Sequence, residues 1–88
     1  MKITFKKTFT KDLDLNYMAH KLLKNNYRYG TFENFLYDYL EDVINFEDAN
    51  WYDNWYEIET IVYNNLFVYC AENYLDDVLE ILKKLKDF

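Results

Sequence analysis

Apolar residues recur every three or four positions along most of this chain, which is the spacing that places them on one side of an α-helix. One series ends near Asn25, a second runs from about Thr31 to Phe46, a third begins near Asn50, and a fourth ends near Leu82. The pattern predicts a mostly α fold of three to four helices. Because 88 residues suit one core, we expect a single domain over residues 1–88.

The beginning of the chain follows a different period. Ile3, Phe5 and Phe9 alternate with lysine and threonine residues, and this period of two predicts a short β-strand from Lys2 to Phe9. Side chains that can accept a hydrogen bond from a free backbone N–H stand before each helical series. The candidate helix caps are Thr10 or Asp12, Thr31, and Asn50.

Residues 60–70 allow two readings. β-Branched and aromatic residues on both sides of Asn64-Asn65 could form a hairpin, because asparagine tolerates the positive φ of a tight turn. That alternative gives an α+β fold. The apolar series favours a helix instead, since it recurs every four residues at Leu66, Cys70, Tyr74, Val78 and Leu82.

Composition supplies a core and removes several kinds of chemistry. Aromatic residues make up 22% of the chain, so a core can form without disulfides or metal, and Cys70 is the lone cysteine. With no serine and one glycine, Gly30, the chain has no serine nucleophile motif and no glycine-rich phosphate loop. Nothing in the sequence groups His20 with Cys70, so we expect structural roles for both. We therefore expect no catalytic residue, no cofactor and no enzyme activity.

Charge is sharply segregated along the chain. From Tyr29 to Leu82 there are thirteen acidic residues and no lysine or arginine, whereas residues 1–28 and the tail from Lys83 are net basic. Helices in soluble proteins usually mix both signs, because like charges one turn apart repel each other. The acidic block is therefore either a solvated surface or a negative field directed at a positively charged partner. Direct binding of nucleic acid is disfavoured, since the phosphates would be repelled.

One stretch of the acidic block invites comparison with a calcium-binding loop. Asp48, Asn50, Asn54 and Glu59 stand at ligand positions of an EF-hand loop, but the position that requires glycine holds Asp53. We therefore predict no metal site. The N-terminal lysines also interrupt any apolar stretch that could act as a signal peptide or membrane span, so we expect a cytoplasmic protein that does not bind membranes.

Tyrosine and tryptophan residues lie among the acids, as they do in the centres of many protein interfaces. Carboxylates on neighbouring helical turns could occupy lysine and arginine grooves built for phosphates, with aromatic rings anchoring the contact. The candidate partner-binding residues are Glu33, Asp38, Glu41, Asp42, Glu47, Asp48, Asp53, Glu57, Glu59, Trp51, Tyr52 and Tyr56.

In size, acid-only block and aromatic content, the chain resembles the small acidic phage- and plasmid-encoded anti-CRISPR and anti-restriction DNA mimics. The resemblance implies a non-enzymatic inhibitor of a basic nuclease or nucleic-acid-binding protein, acting in a bacterial host cell. Two other functions are compatible with the same sequence features. One is an immunity protein or antitoxin that neutralises a basic nuclease toxin, and the other is a structural helical module that self-associates as a homodimer.

Overall fold

The mostly helical class is confirmed. The computed structural model describes residues 2–5, 9–25, 28–43 and 55–86, with side chains described at 13–25, 28–40 and 55–86. Four helices lie within these residues: α1 Leu15–Asn25, α2 Phe32–Val43, α3 Trp55–Glu72 and α4 Asp76–Leu85. α3 is the central helix, because it packs against each of the other three and against the first strand.

Two short strands precede the helices. β1, Lys2–Phe5, pairs antiparallel with β2, Phe9–Asp12, and Phe5 stands opposite Phe9 in this register. The prediction of one strand from Lys2 to Phe9 is not confirmed, because residues 6–8 lie outside the described residues and Phe9 belongs to β2.

Side-chain caps set where α1 and α2 begin. The Asp14 carboxylate accepts a hydrogen bond from the backbone N–H of Tyr17 at 3.0 Å, so Asp14 caps α1. The predicted caps Thr10 and Asp12 are wrong, because both residues pair within the strands. The predicted Thr31 cap is confirmed by a bond of 3.2 Å from the Asn34 N–H to its hydroxyl. Asn50 lies outside the described residues.

α3 runs without a break through Asn64 and Asn65, which contradicts the alternative hairpin and confirms a helix over residues 60–70. The Asn65 side-chain amide donates to the carbonyl of Ile61, one turn earlier, at 2.8 Å. Burial explains why the helix prevails over strand propensity, since one stripe of α3 is fully enclosed by the core. That stripe comprises Ile58, Val62, Leu66 and Cys70.

The chain turns between α3 and α4 in a Schellman motif. Tyr74 has a positive φ of 58°, the N–H of Leu75 donates to the carbonyl of Cys70 at 2.9 Å, and the N–H of Tyr74 donates to that of Ala71 at 3.4 Å. These bonds satisfy the last carbonyls of α3. The apolar series of the sequence continues through this turn, but Tyr74 is 87% exposed and does not join the core.

Aromatic rings join α2 to α3 inside the core. The rings of Phe32 and Tyr63 meet edge to face with centroids 5.1 Å apart, and Phe32 also contacts Phe35 at 5.8 Å. The buried Tyr63 hydroxyl donates to the Leu82 carbonyl at 3.2 Å, so the same residue fixes α4. Burial raises the pKa of the Cys70 thiol to about 11, which leaves it neutral at physiological pH and fits the predicted structural role.

We expect Tyr74→Gly to stabilise the protein by roughly 1 kcal/mol, because glycine adopts a positive φ without the steric cost that a Cβ imposes. Urea denaturation monitored by circular dichroism measures the change. Tyr74→Ala is the control, since it removes the exposed ring but keeps the Cβ, and it should give little or no gain. A loss of stability with glycine would show that the tyrosine ring contributes to the fold.

We expect Tyr63→Phe to destabilise the protein by about 1 kcal/mol, the usual net contribution of one buried hydrogen bond. Tyr69→Phe is the matched control, because its hydroxyl donates to the Asn16 side chain at 3.2 Å in an exposed position. Thermal and urea unfolding of both variants should show the larger loss for Tyr63. Equal losses would contradict the role assigned to the bond between α3 and α4.

Candidate functional site

A groove lies where the first turns of α2 and α3 meet the end of α4. Its volume is about 290 Å³. The residues that line it combine two carboxylates with apolar and aromatic side chains, and they define what is called here the acidic groove. They are Thr31, Phe32, Glu33, Trp55, Tyr56, Glu59 and Leu85.

The sequence builds this groove through two helix beginnings. Thr31 caps α2 and places Glu33 in its first turn, where the helix dipole favours an acid. Trp55 opens α3, and its indole N–H donates to the Glu33 carboxylate at 3.3 Å. The ring of Tyr37, one turn after Glu33, meets Trp55 edge to face at 5.7 Å. These contacts hold the exposed edges of α2 and α3 together.

Glu59 lies one turn after Trp55 and is only 5% exposed. Its carboxylate forms no hydrogen bond or ion pair with any residue that the structure describes. Burial raises the pKa of Glu59 above its ordinary value, and the negative charge of Glu33 raises it further. No described lysine or arginine offsets these effects. The groove therefore contains a carboxylate that is costly to ionise.

Asp38 lies outside the groove and has an internal partner. The Tyr29 hydroxyl donates to its carboxylate at 3.0 Å, and burial, together with this acid, raises the pKa of Tyr29. Asp38 and Tyr37 line a separate surface recess with Arg28. Since Tyr37 also contacts Trp55, an aromatic side chain connects the acidic groove to the surface around Asp38.

The structure brings together some of the predicted partner-binding residues. Glu33, Glu59 and the 79%-exposed Tyr56 line the groove, and Glu57 lies half-buried in the same helix. Glu59 is buried at the base of the groove rather than exposed on a helix surface, which the sequence did not indicate. Glu41 and Asp42 lie within α2, but their side chains are outside the described residues. The remaining predicted residues lie entirely outside the described residues; they are Glu47, Asp48, Asp53, Trp51 and Tyr52.

Trp55 and Tyr37 were missing from the predicted set. Trp55 stands three residues before Ile58 and continues the helical spacing of the apolar stripe of α3, yet its half-buried indole joins two helices through a polar N–H. The residue type alone could have indicated this role, since tryptophan combines a large apolar ring with an indole N–H that needs a hydrogen-bond acceptor. Tyr37 lies beside Asp38 in sequence, among the acids, but its contact with Trp55 depends on how α2 packs against α3.

A second, larger recess of about 600 Å³ lies between the start of α1 and the second half of α3. It is lined by Asp14, Leu15, Asn16, Asn65, Val68, Tyr69 and Glu72, and both of its acids are exposed. Among the residues that the structure describes, no three histidine, cysteine or acidic side chains form a group that could hold a metal ion. No helix in the described ranges is long and apolar enough to cross a membrane.

The described residues thus define a small helical protein with an acidic, aromatic groove. Comparison with protein families, with curated proteins and with solved structures gave no match for this chain.

We expect Glu59→Gln to stabilise the protein at neutral pH by on the order of 1 kcal/mol, because the amide removes a buried charge. A carboxyl whose pKa is raised in the folded state contributes stability below its ordinary pKa, and loses that contribution as pH rises through the raised value. The advantage of the variant should therefore disappear below about pH 4. Urea denaturation across this pH range measures it.

Glu72→Gln is the matched control for this prediction. Glu72 is an exposed acid of the same helix, so its neutralisation should change stability by less than about 0.5 kcal/mol at any pH. If wild-type protein were the more stable at neutral pH, the Glu59 carboxylate would have a favourable partner and the assignment would be wrong.

Proposed function

We propose that this protein is a non-enzymatic inhibitor that binds a basic nuclease or another nucleic-acid-binding protein through acidic and aromatic side chains of α2 and α3. In this role it would act in a bacterial host cell, as anti-CRISPR and anti-restriction DNA mimics do. Its carboxylates would take the positions of phosphates in a groove of the partner that normally binds nucleic acid.

The observation that carries the proposal is the meeting of Glu33 and Glu59 from two helices in one groove with Trp55. A charge that costs folding energy is expected where function requires it. Here the cost falls on two carboxylates beside the half-buried Trp55 and the exposed Tyr56. A cation from a partner would offset both the burial and the repulsion.

The surroundings of the groove favour a basic partner as well. Described residues from Tyr29 onward carry no lysine or arginine before Lys83, so every charged side chain that α2 and α3 themselves contribute is acidic. Such a field accelerates association with a positively charged protein and repels nucleic acid. Tyr56 at the rim and Tyr37 beside Asp38 add the aromatic area that is enriched at interface centres.

The two alternatives predict different behaviour. An immunity protein or antitoxin would use the same groove but would be encoded beside its toxin. A self-associating module is favoured by the exposure of Tyr74 and Val68, which are 87% and 52% exposed. A homodimer formed through such apolar contacts would persist at high salt in size-exclusion chromatography, because salt screens charges and leaves apolar contacts intact.

We expect the tagged protein to capture a nucleic-acid enzyme from a low-GC bacterial lysate, with elution as salt rises and displacement by added DNA or RNA. The variant Glu33→Gln with Asp38→Asn should reduce the apparent affinity for that enzyme by about tenfold or more, because two carboxylates are neutralised where the partner is expected to bind. Mass spectrometry identifies the enzyme, and binding to the purified enzyme gives the affinity.

The matched control is Glu72→Gln with Asp77→Asn, which removes the same charge from exposed positions in α3 and α4. Circular dichroism of both double variants establishes that each is folded. The control should bind the enzyme nearly as wild type does. Equal losses in the two variants would indicate an effect of net charge alone, and binding unaffected by either would contradict the proposed surface.

A further inference from the structure

The acidic groove has the dimensions of a site for one side chain. Its volume of about 290 Å³ is at the lower end of the range for pockets that hold small molecules, and a nucleotide would not be enclosed. Phe32 and Leu85 supply apolar walls, and both residues are almost fully buried. The charged groups that line the groove are the carboxylates of Glu33 and Glu59. The indole N–H of Trp55 already donates to Glu33, and the Thr31 hydroxyl already accepts from the Asn34 N–H.

Glu59 indicates the charge of the missing occupant. Glu59 is only 5% exposed, it lines the groove, and it has no hydrogen-bond partner among the described residues. A carboxylate with so little access to water loses much of its hydration, and the described residues supply no hydrogen bond in return. A donor with a positive charge is the group that would restore the lost interactions. Glu33 adds a second acceptor beside it.

We infer that the acidic groove binds a single arginine side chain from the surface of a basic partner protein, with the guanidinium group held between the carboxylates of Glu33 and Glu59. This inference rests on the proposed function only in taking the partner to be a basic protein. The groove itself, with its buried acceptor, is a property of this chain.

The lining favours a guanidinium over an ammonium group. A guanidinium is flat, offers five N–H donors, and can bond two separate carboxylates while stacking on an aromatic ring. The rings of Trp55 and Tyr56 lie on the lining of the same groove and can provide that stacking. A lysine ammonium is more strongly hydrated, and it loses more when it enters a partly apolar groove.

The test uses the isolated protein with a blocked amino acid, N-acetyl-arginine N-methylamide, at constant ionic strength. ¹H–¹⁵N spectra follow the indole N–H of Trp55, assigned with Trp55→Phe, and the backbone amides of residues 31–33 and 55–59. We expect saturable shifts with the arginine probe and none with the citrulline equivalent, which has the same shape without the charge. Absence of a saturable shift, or equal shifts with citrulline, would overturn the inference.

Two variants connect the binding to the groove. Glu59→Gln, which is expected to fold at least as stably as wild type, should weaken the arginine probe by about tenfold, in line with the loss of one charged hydrogen bond. Glu72→Gln should bind it as wild type does. Unchanged affinity in Glu59→Gln would overturn the assignment, and tighter binding of the blocked lysine than of the blocked arginine would overturn the preference for guanidinium.

The outcome separates this inference from the proposed function. If the probe binds but no basic enzyme is captured from the lysate, the groove is an arginine site in a protein with another kind of partner. If a basic enzyme is captured but the probe does not bind, the proposed function holds and the groove is not its point of recognition.

Discussion

Burial of α3 is the constraint on which the rest of the structure depends. Ile58, Val62, Leu66 and Cys70 are fully enclosed, and the other helices and β1 all pack against this one helix. Tyr63 extends this role, because its ring contacts Phe32 of α2 and its hydroxyl bonds the carbonyl of Leu82 in α4. Because the other helices pack against α3, its direction fixes where α2 begins and where α4 ends, and thereby where the acidic groove forms.

The sequence predicted this helix because its buried stripe repeats at helical spacing, and burial outweighed the strand preference of residues such as Val62 and Tyr63. Its end was not predictable in the same way. The apolar series continues through Tyr74, and the turn there depends on a positive φ that tyrosine adopts only at a cost. The bonds from Leu75 and Tyr74 back to α3 offset part of that cost, and no periodicity in the side chains reports them.

In the candidate site, too, some features follow from the sequence and others depend on how the helices pack. Glu33 was predictable as an exposed acid, because its position after the Thr31 cap places it in the first turn of α2. Glu59 was predicted on the same acidic surface, but its burial depends on how α2 and α4 close over α3, which sequence spacing does not determine. Trp55 continues the helical spacing of the apolar residues in α3, and only the packing of α2 against α3 shows that its N–H faces the Glu33 carboxylate.

The ionised carboxylate of Glu59 destabilises the folded state. A neutral residue there would keep the apolar surroundings of Phe32 and Leu85 without the repulsion from Glu33, so folding alone gives no reason for an acid at this position. A cation bound in the groove, as proposed, would supply the reason, since its charge would favour the ionised form of Glu59 and lower the pKa that burial now raises. Binding and ionisation would then be linked, and the destabilising charge of the free protein would become an attractive one in the complex.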